Sequence, residues 1–164
     1  MIFSENIKQF LGRIYRHEVH NSVAYSQISN FLDVEGYKNL AKYYADWSSH
    51  ETEHSVKVRE FCNTNNINID MSIAIEGLDI NLKNMPITHF VIITVDTENE
   101  TTDLYSELLE MGKNEKNTFT ERFALDFILE QIEETEKALG IFDSVNNIGA
   151  NKGMLQLFDN TFGD

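Results

Sequence analysis

Four glutamates and a histidine stand where a helical bundle should be oily. Along the first helical stretch, steps of three and four residues read Ile7, Leu11, Ile14, Glu18, Asn21, Tyr25 and Ile28. The second reads Tyr37, Leu40, Tyr44, Trp47, Glu51, His54, Val58 and Phe61. The third reads Ile87, Val91, Thr94, Glu98, Thr101, Tyr105 and Leu108. The fourth reads Ala124, Phe127, Gln131, Glu134, Ala138, Ile141 and Val145. A stripe of this period is the face a helix buries. Each stripe is broken near its middle by glutamate, so Glu18, Glu51, Glu98 and Glu134 are expected to point inward at a similar depth. His54, three residues after Glu51, and Gln131, three before Glu134, share those faces.

Magnitudes decide what this means. Two carboxylates about 5 Å apart repel by roughly 3 kcal/mol at an effective dielectric of about 20. Summed over the pairs of a four-acid cluster, with the longer ones discounted, the repulsion is on the order of 10 kcal/mol. That rivals the net stability of a whole domain, roughly 5–15 kcal/mol, and desolvation adds to it. The acids must therefore hold protons or bind cations. Two divalent ions balance four carboxylates. Glutamate oxygens with one imidazole suit iron, manganese or zinc better than calcium or copper. A lone glutamate on a core stripe usually snorkels to water or pairs with a base. No Lys or Arg lies on these stripes at that level, and a Glu-x-x-His beside three more acids is poorly explained that way.

The elements that must position these groups are long helices, running roughly from Ser4 to Phe31, Tyr37 to Cys62, Pro86 to Gly112 and Thr118 to Val145. Gly36 stops the first. The second frays into Asn63-Thr64-Asn65-Asn66. Pro86 suits a first helical turn because its missing N–H would be unpaired anyway. Thr118 and Glu121 form a capping box. Between the second and third helices, Ile67, Ile69, Met71, Ile73 and Ile75 alternate with smaller or polar residues, which predicts an extended crossover. Such a crossover lets those helices run parallel. A short helix at Met154–Phe162 is too brief to stand alone, and Leu155, Phe158 and Phe162 would dock it. The fold class is all-α, a four-helix bundle with a long crossover and a short fifth helix. It forms one domain over residues 1–164.

Composition narrows the partners. Lys plus Arg is 13, Asp plus Glu is 27 and the net charge is −14, which repels nucleic acid and anionic membrane and suits cations. The longest strictly apolar run, Phe90 to Ile93, is far short of a bilayer span. The opening residues lack a basic stretch followed by an apolar one, so a cytoplasmic protein is expected. Cys62 is the only cysteine, which excludes an internal disulfide and a CxxC site.

At these residues the chain resembles ferritin, in particular the bacterial non-haem type. Glu18 followed by Tyr25, the Glu51-Thr52-Glu53-His54 run, Glu98, and Glu130-Gln131-Ile132-Glu133-Glu134 are similar to its four helix motifs. The segment Gly153 to Asp159 resembles its closing helix. The resemblance implies a ferritin-like bundle that oxidises Fe(II) at a di-iron site and stores ferric mineral in a shell of 24 copies. Glu18, Glu51 and His54 would hold one iron, with Glu51 bridging to a second bound by Glu98 and Glu134. Gln131 would orient water or oxygen species, and Tyr25 would donate a hydrogen bond and serve as an electron source. An inner third site would use His50, Glu130 and Glu133, with Glu134 shared. His50 departs from the pattern there, since that position is usually a carboxylate. The partners implied are iron and O2 or H2O2.

Several relatives are set aside. There is no second Glu-x-x-His on the fourth helix, and Thr52 stands where a haem-binding Met would follow the bridging Glu, so no haem is expected. His17 and His20 are read as surface histidines, and Glu53, Glu60, Glu107 and Glu110 as a solvated face or cavity lining. Two other functions compete: a di-iron peroxidase or oxidase without storage on the same bundle, and a helical adaptor whose acids are protonated or solvated.

Overall fold

The computed structural model describes residues 3–72 and 86–162. Five helices follow one another: α1 (Glu5–Val34), α2 (Lys38–Thr64), α3 (Ile87–Asn114), α4 (Thr118–Ile148) and α5 (Lys152–Thr161). No strand occurs among the described residues. Ile67 and Ile69 of the alternating stretch are buried against the bundle, whereas Ile73 and Ile75 lie outside the described residues.

The first three helices end alike. After α1, the Gly36 N–H bonds to the Asp33 carbonyl and the Tyr37 N–H to that of Leu32. Gly36, at φ +92°, takes the left-handed turn between them. Asn66 and Lys116, both at φ +54°, do the same after α2 and α3. So α2 does not fray at Asn63; it runs to Thr64 and closes sharply, because asparagine tolerates the left-handed turn. The start of α4 also differs from expectation. Asn117, not Thr118, is the capping residue, and its side chain accepts from the Thr120 N–H at 3.2 Å. Thr118 lies inside the first turn and is exposed.

Side-chain bonds fix the register. Ser48 Oγ donates to the Ser22 carbonyl and Ser29 Oγ to that of Ala41, each at 2.7 Å, so α1 and α2 are antiparallel. Pairs Glu18–Tyr105 and Tyr25–Glu98 make α1 and α3 antiparallel as well. It follows that α2 and α3 run parallel. At the α3–α4 corner Gly112 lets two backbones meet: a Cβ there would lie 2.9 Å from the Glu121 nitrogen.

α5 docks on its own chain. Leu155 is buried, and Phe162 meets the Tyr43 ring edge-on at 5.2 Å. Tyr37 gives α2 no side-chain cap, and Asp159 of α5 supplies one. Its Oδ1 accepts from the Leu40 N–H at 2.8 Å, and Oδ2 from that of Asn39 at 3.4 Å.

The interior falls into two apolar blocks. One gathers Ile28, Leu32, Leu40, Tyr44, Phe90 and Ile141. The other gathers Leu11, Ile14, Val58, Leu104, Leu108 and Phe127. A slab of buried polar residues from all four long helices separates them.

Candidate metal centre

The slab contains the glutamates that interrupt the four stripes. Glu18, Glu51, His54 and Glu98 are each 0% exposed, and Gln131 and Glu134 are buried beside them. Each comes from mid-helix, so helical period alone turns it inward, and the antiparallel register brings all four to one level.

The ligating atoms fall into sets that share members. Glu18, Glu51 and His54 each offer an atom within 4.8 Å of the others. Glu51, Glu98 and Glu134 form another such set, with Glu51 common to both. The His54 Nδ1 lies 3.8 Å from Oε2 of Glu18 and 3.8 Å from Oε2 of Glu51. A further set joins His50, His54 and Glu134 at the edge of the slab.

Neighbours hold the outer faces of these acids. The Tyr25 hydroxyl donates to Glu98 Oε1 at 2.5 Å. The Tyr105 hydroxyl donates to Glu18 Oε1 at 2.6 Å. The Gln131 amide donates to Glu134 Oε2. The inner faces are different. Both oxygens of Glu51, Oε2 of Glu18, Oε2 of Glu98 and both nitrogens of His54 are buried with no hydrogen-bond partner. Buried polar atoms are almost always satisfied. Here these atoms, with Oε1 of Glu134, belong to the residues that form the overlapping three-ligand sets, as the donors of a cation site do.

Protonation reflects the crowding. Burial, with the Glu18 charge adding, pushes Glu51 well above the usual carboxylate range, although His54 opposes the shift. Burial also raises Glu98 to about 7 against the bond from Tyr25, with Glu134 and Glu18 adding. Glu18 goes the other way. Burial would raise it, but hydrogen bonding with His54, Glu51 and Tyr105 outweighs that and lowers it. Burial opposes charge on His54, yet Glu18 and Glu51 raise it to about 11. The cluster on its own keeps protons; cations that displaced them would lift the repulsion.

The residues expected at a third position are arranged differently from the inner pair. His50 Nδ1 lies 2.8 Å from Glu134 Oε1. Glu130 is bound through both oxygens by Lys57 Nζ, at 3.0 and 2.7 Å. Its Oε2 lies 3.3 Å from His54 Nε2. Glu133 is exposed and belongs to none of the three-ligand sets among the described residues.

Three side chains depart from the sequence reading or escape it. His17 is not a surface histidine; it is half-buried between α1 and α3, with Nε2 2.8 Å from Thr101 Oγ1. His20 is exposed, as are Glu53, Glu60, Glu107 and Glu110. Tyr105 was legible in the spacing, because Glu98 and Tyr105 stand seven apart just as Glu18 and Tyr25 do. Lys57 gave no such signal, since it reaches Glu130 only through the α2–α4 register.

Comparison with known proteins follows the same lines. The family model for the Ferritin-like domain matches residues 8–148. The chain is 25% identical to a probable bacterial non-heme ferritin-like protein of Haemophilus influenzae, over 99% of this chain and 97% of that one. It is 22% identical to the bacterial non-heme ferritin of Staphylococcus aureus, over 99% of this chain and 96% of that one. An open pore ferritin from the archaeon Archaeoglobus fulgidus superposes with a TM-score of 0.88 at 22% identity, over 97% of this chain and 96% of that chain.

Proposed function

The chain belongs to the ferritin family, and from that premise we propose that it binds Fe(II) in pairs, oxidises it to Fe(III) and stores it as ferric mineral. The observation that carries this reading is that the unpartnered buried polar atoms of Glu18, Glu51, His54, Glu98 and Glu134 belong to residues whose ligand atoms gather in two sets sharing Glu51. Nothing else in the packing explains them. An adaptor with solvated acids would turn these side chains outward, whereas Glu18, Glu51 and Glu98 are fully enclosed.

Each residue has a part. Glu18 and His54 hold one Fe(II), Glu98 and Glu134 hold the other, and Glu51 is shared between them. Tyr25 and Tyr105 fix the carboxylates to which they donate, so few rotamers need be frozen on binding. Gln131 holds Oε2 of Glu134 and leaves Oε1 facing inward. A set of hard anionic oxygens favours Fe(III) over Fe(II), which drives electrons towards dioxygen or peroxide. The protons kept by Glu51, Glu98 and His54 leave as the ions bind.

The assembly is part of the proposal. Family membership supports a hollow shell of 24 copies of this single-domain chain, in the cytoplasm, without haem. The identity of the relatives, 22 to 25%, is what leaves activity to be measured.

An anaerobic Fe(II) titration tests the reading. About two ions per chain should bind, and Glu51→Ala should abolish both sites because that residue is common to the two sets. Admitting air should then produce Fe(III) that stays with a large particle. A purified chain that takes up no Fe(II) would overturn the proposal. One that oxidises iron but retains none would be an oxidase without storage.

A further inference from the structure

The seam between α2 and α4 carries a cation of its own. Lys57 Nζ bonds both oxygens of Glu130 at 3.0 and 2.7 Å. It also lies 5.5 Å from the centre of the Phe127 ring, which steadies an ammonium over its face. Phe127 is itself stacked on Tyr105 at 4.3 Å and meets His54 edge-on at 5.2 Å. The lysine is thus held from two sides, by a carboxylate and by an aromatic wall of the metal centre.

This is where a third metal ion would go. The surrounding cleft, of about 380 Å³, is lined by His50, Lys57, Glu130, Glu133, Glu134 and Lys137 along with Leu129. Glu134 is committed to the inner pair, with Gln131 donating to its Oε2 and His50 Nδ1 2.8 Å from its Oε1. That leaves two carboxylates, Glu130 and Glu133, along a cleft that also carries two ammonium groups, Lys57 and Lys137. The charge is balanced before any metal arrives. His50 brings a neutral imidazole or a further positive charge, and no carboxylate.

We infer that Lys57 takes the place of a third cation, so that this chain holds two metal ions and not three. The inference rests on the di-iron reading of the inner site. It goes beyond it in assigning Lys57 the task of setting the number of ions. A partly exposed ion pair is weak, so the exclusion comes from cancelled charge and not from a strong bond. Removing the charge should therefore open the position.

Calorimetric titration of the intact, assembled chain with Zn(II) gives the count, and anaerobic Fe(II) titration repeats it with the proposed substrate. The native chain and Lys57→Arg should saturate at two ions. Lys57→Gln should bind a third, and Lys57→Gln combined with Glu130→Gln should return to two. Lys57 is partly exposed, so the variants should fold, and Lys57→Arg controls for that. Three ions in the native chain, or two in Lys57→Gln, would overturn the inference while leaving the inner pair intact. No ion in the native chain would overturn the functional reading and this inference with it.

Discussion

Tyr105 on α3 donates a 2.6 Å hydrogen bond to Glu18 on α1, and Tyr25 on α1 returns one of 2.5 Å to Glu98 on α3. Each tyrosine stands seven residues after a cluster glutamate on its own helix and serves the glutamate on the other. The two helices thereby lock each other's acids. Tyr105 has no exposed surface, and burial with the Glu18 charge raises its hydroxyl well above the usual range, so it acts only as a donor.

Tyr105→Phe should leave Glu18 Oε1 buried without its donor. A loss of about 1–3 kcal/mol is expected from stranding such a group, read as a lower thermal midpoint of the metal-free protein. Anaerobic Fe(II) titration should show one of the two ions weakened about tenfold, within the range for changes beside a ligand. Unchanged melting and unchanged binding would show that the pairing has no consequence.

The metal-free protein should lose stability as the pH rises from 5 to 8. Glu98 is raised by burial from 4.5 to about 7, so over that interval the folded state holds a proton the unfolded chain has lost. Stability falls with pH wherever the folded state binds more protons, here by on the order of 3 kcal/mol for this group. His54, raised by Glu18 and Glu51 from 6.5 to about 11 against its burial, pushes the same way above pH 6.5. Glu18, lowered, keeps its contribution above the usual carboxylate range and is lost only in acid. Melting curves across this interval, with and without Zn(II), provide the check; the metal-loaded protein should show little or none of the decline.

Asp159→Ala should release the tail from the start of α2. Losing a capping carboxylate costs about 0.5–2 kcal/mol. Hydrogen exchange should quicken at Asn39 and Leu40, whose N–H groups it accepts, while ion binding at mid-bundle stays as it was. Slow exchange at both amides in the variant would contradict the assignment.

Gly112→Ala should destabilise the chain even though alanine is the better helix former. Its methyl would press on the Glu121 nitrogen at 2.9 Å and on Thr120 Cβ at 3.3 Å. Overpacking of this kind costs about 1–3 kcal/mol. Gly140, which meets nothing within 4 Å, is the control: alanine there should be neutral or stabilising in the same thermal melt.

The four helices were legible because each stripe keeps its period through the interrupting acids. Helix ends were less so. Asn117 and Thr118 are both capping types, and adjacent residues of that kind cannot be ranked without backbone angles. Asn66 closes α2 because of a left-handed φ that the sequence permits but does not announce. At the site, the spacing placed Glu18, Glu51, His54, Glu98, Gln131 and Glu134 on inward faces, and the structure brings them together. It could not place Lys57 on Glu130 or Asp159 beneath Leu40, because those contacts join elements whose relative register only the folded chain defines.

The two apolar blocks shut the bundle at either end, so whatever reaches the polar slab arrives from the side. Glu134 lines the cleft with Lys57 and a second one of about 210 Å³ with Tyr43, Trp47 and His50. Among the described residues, both of these clefts open onto the slab beside Glu134 and His50, so an ion reaching it there would pass between α2 and α4. On the proposed function, a bulky side chain placed between them should slow Fe(II) uptake without altering any residue proposed to hold iron.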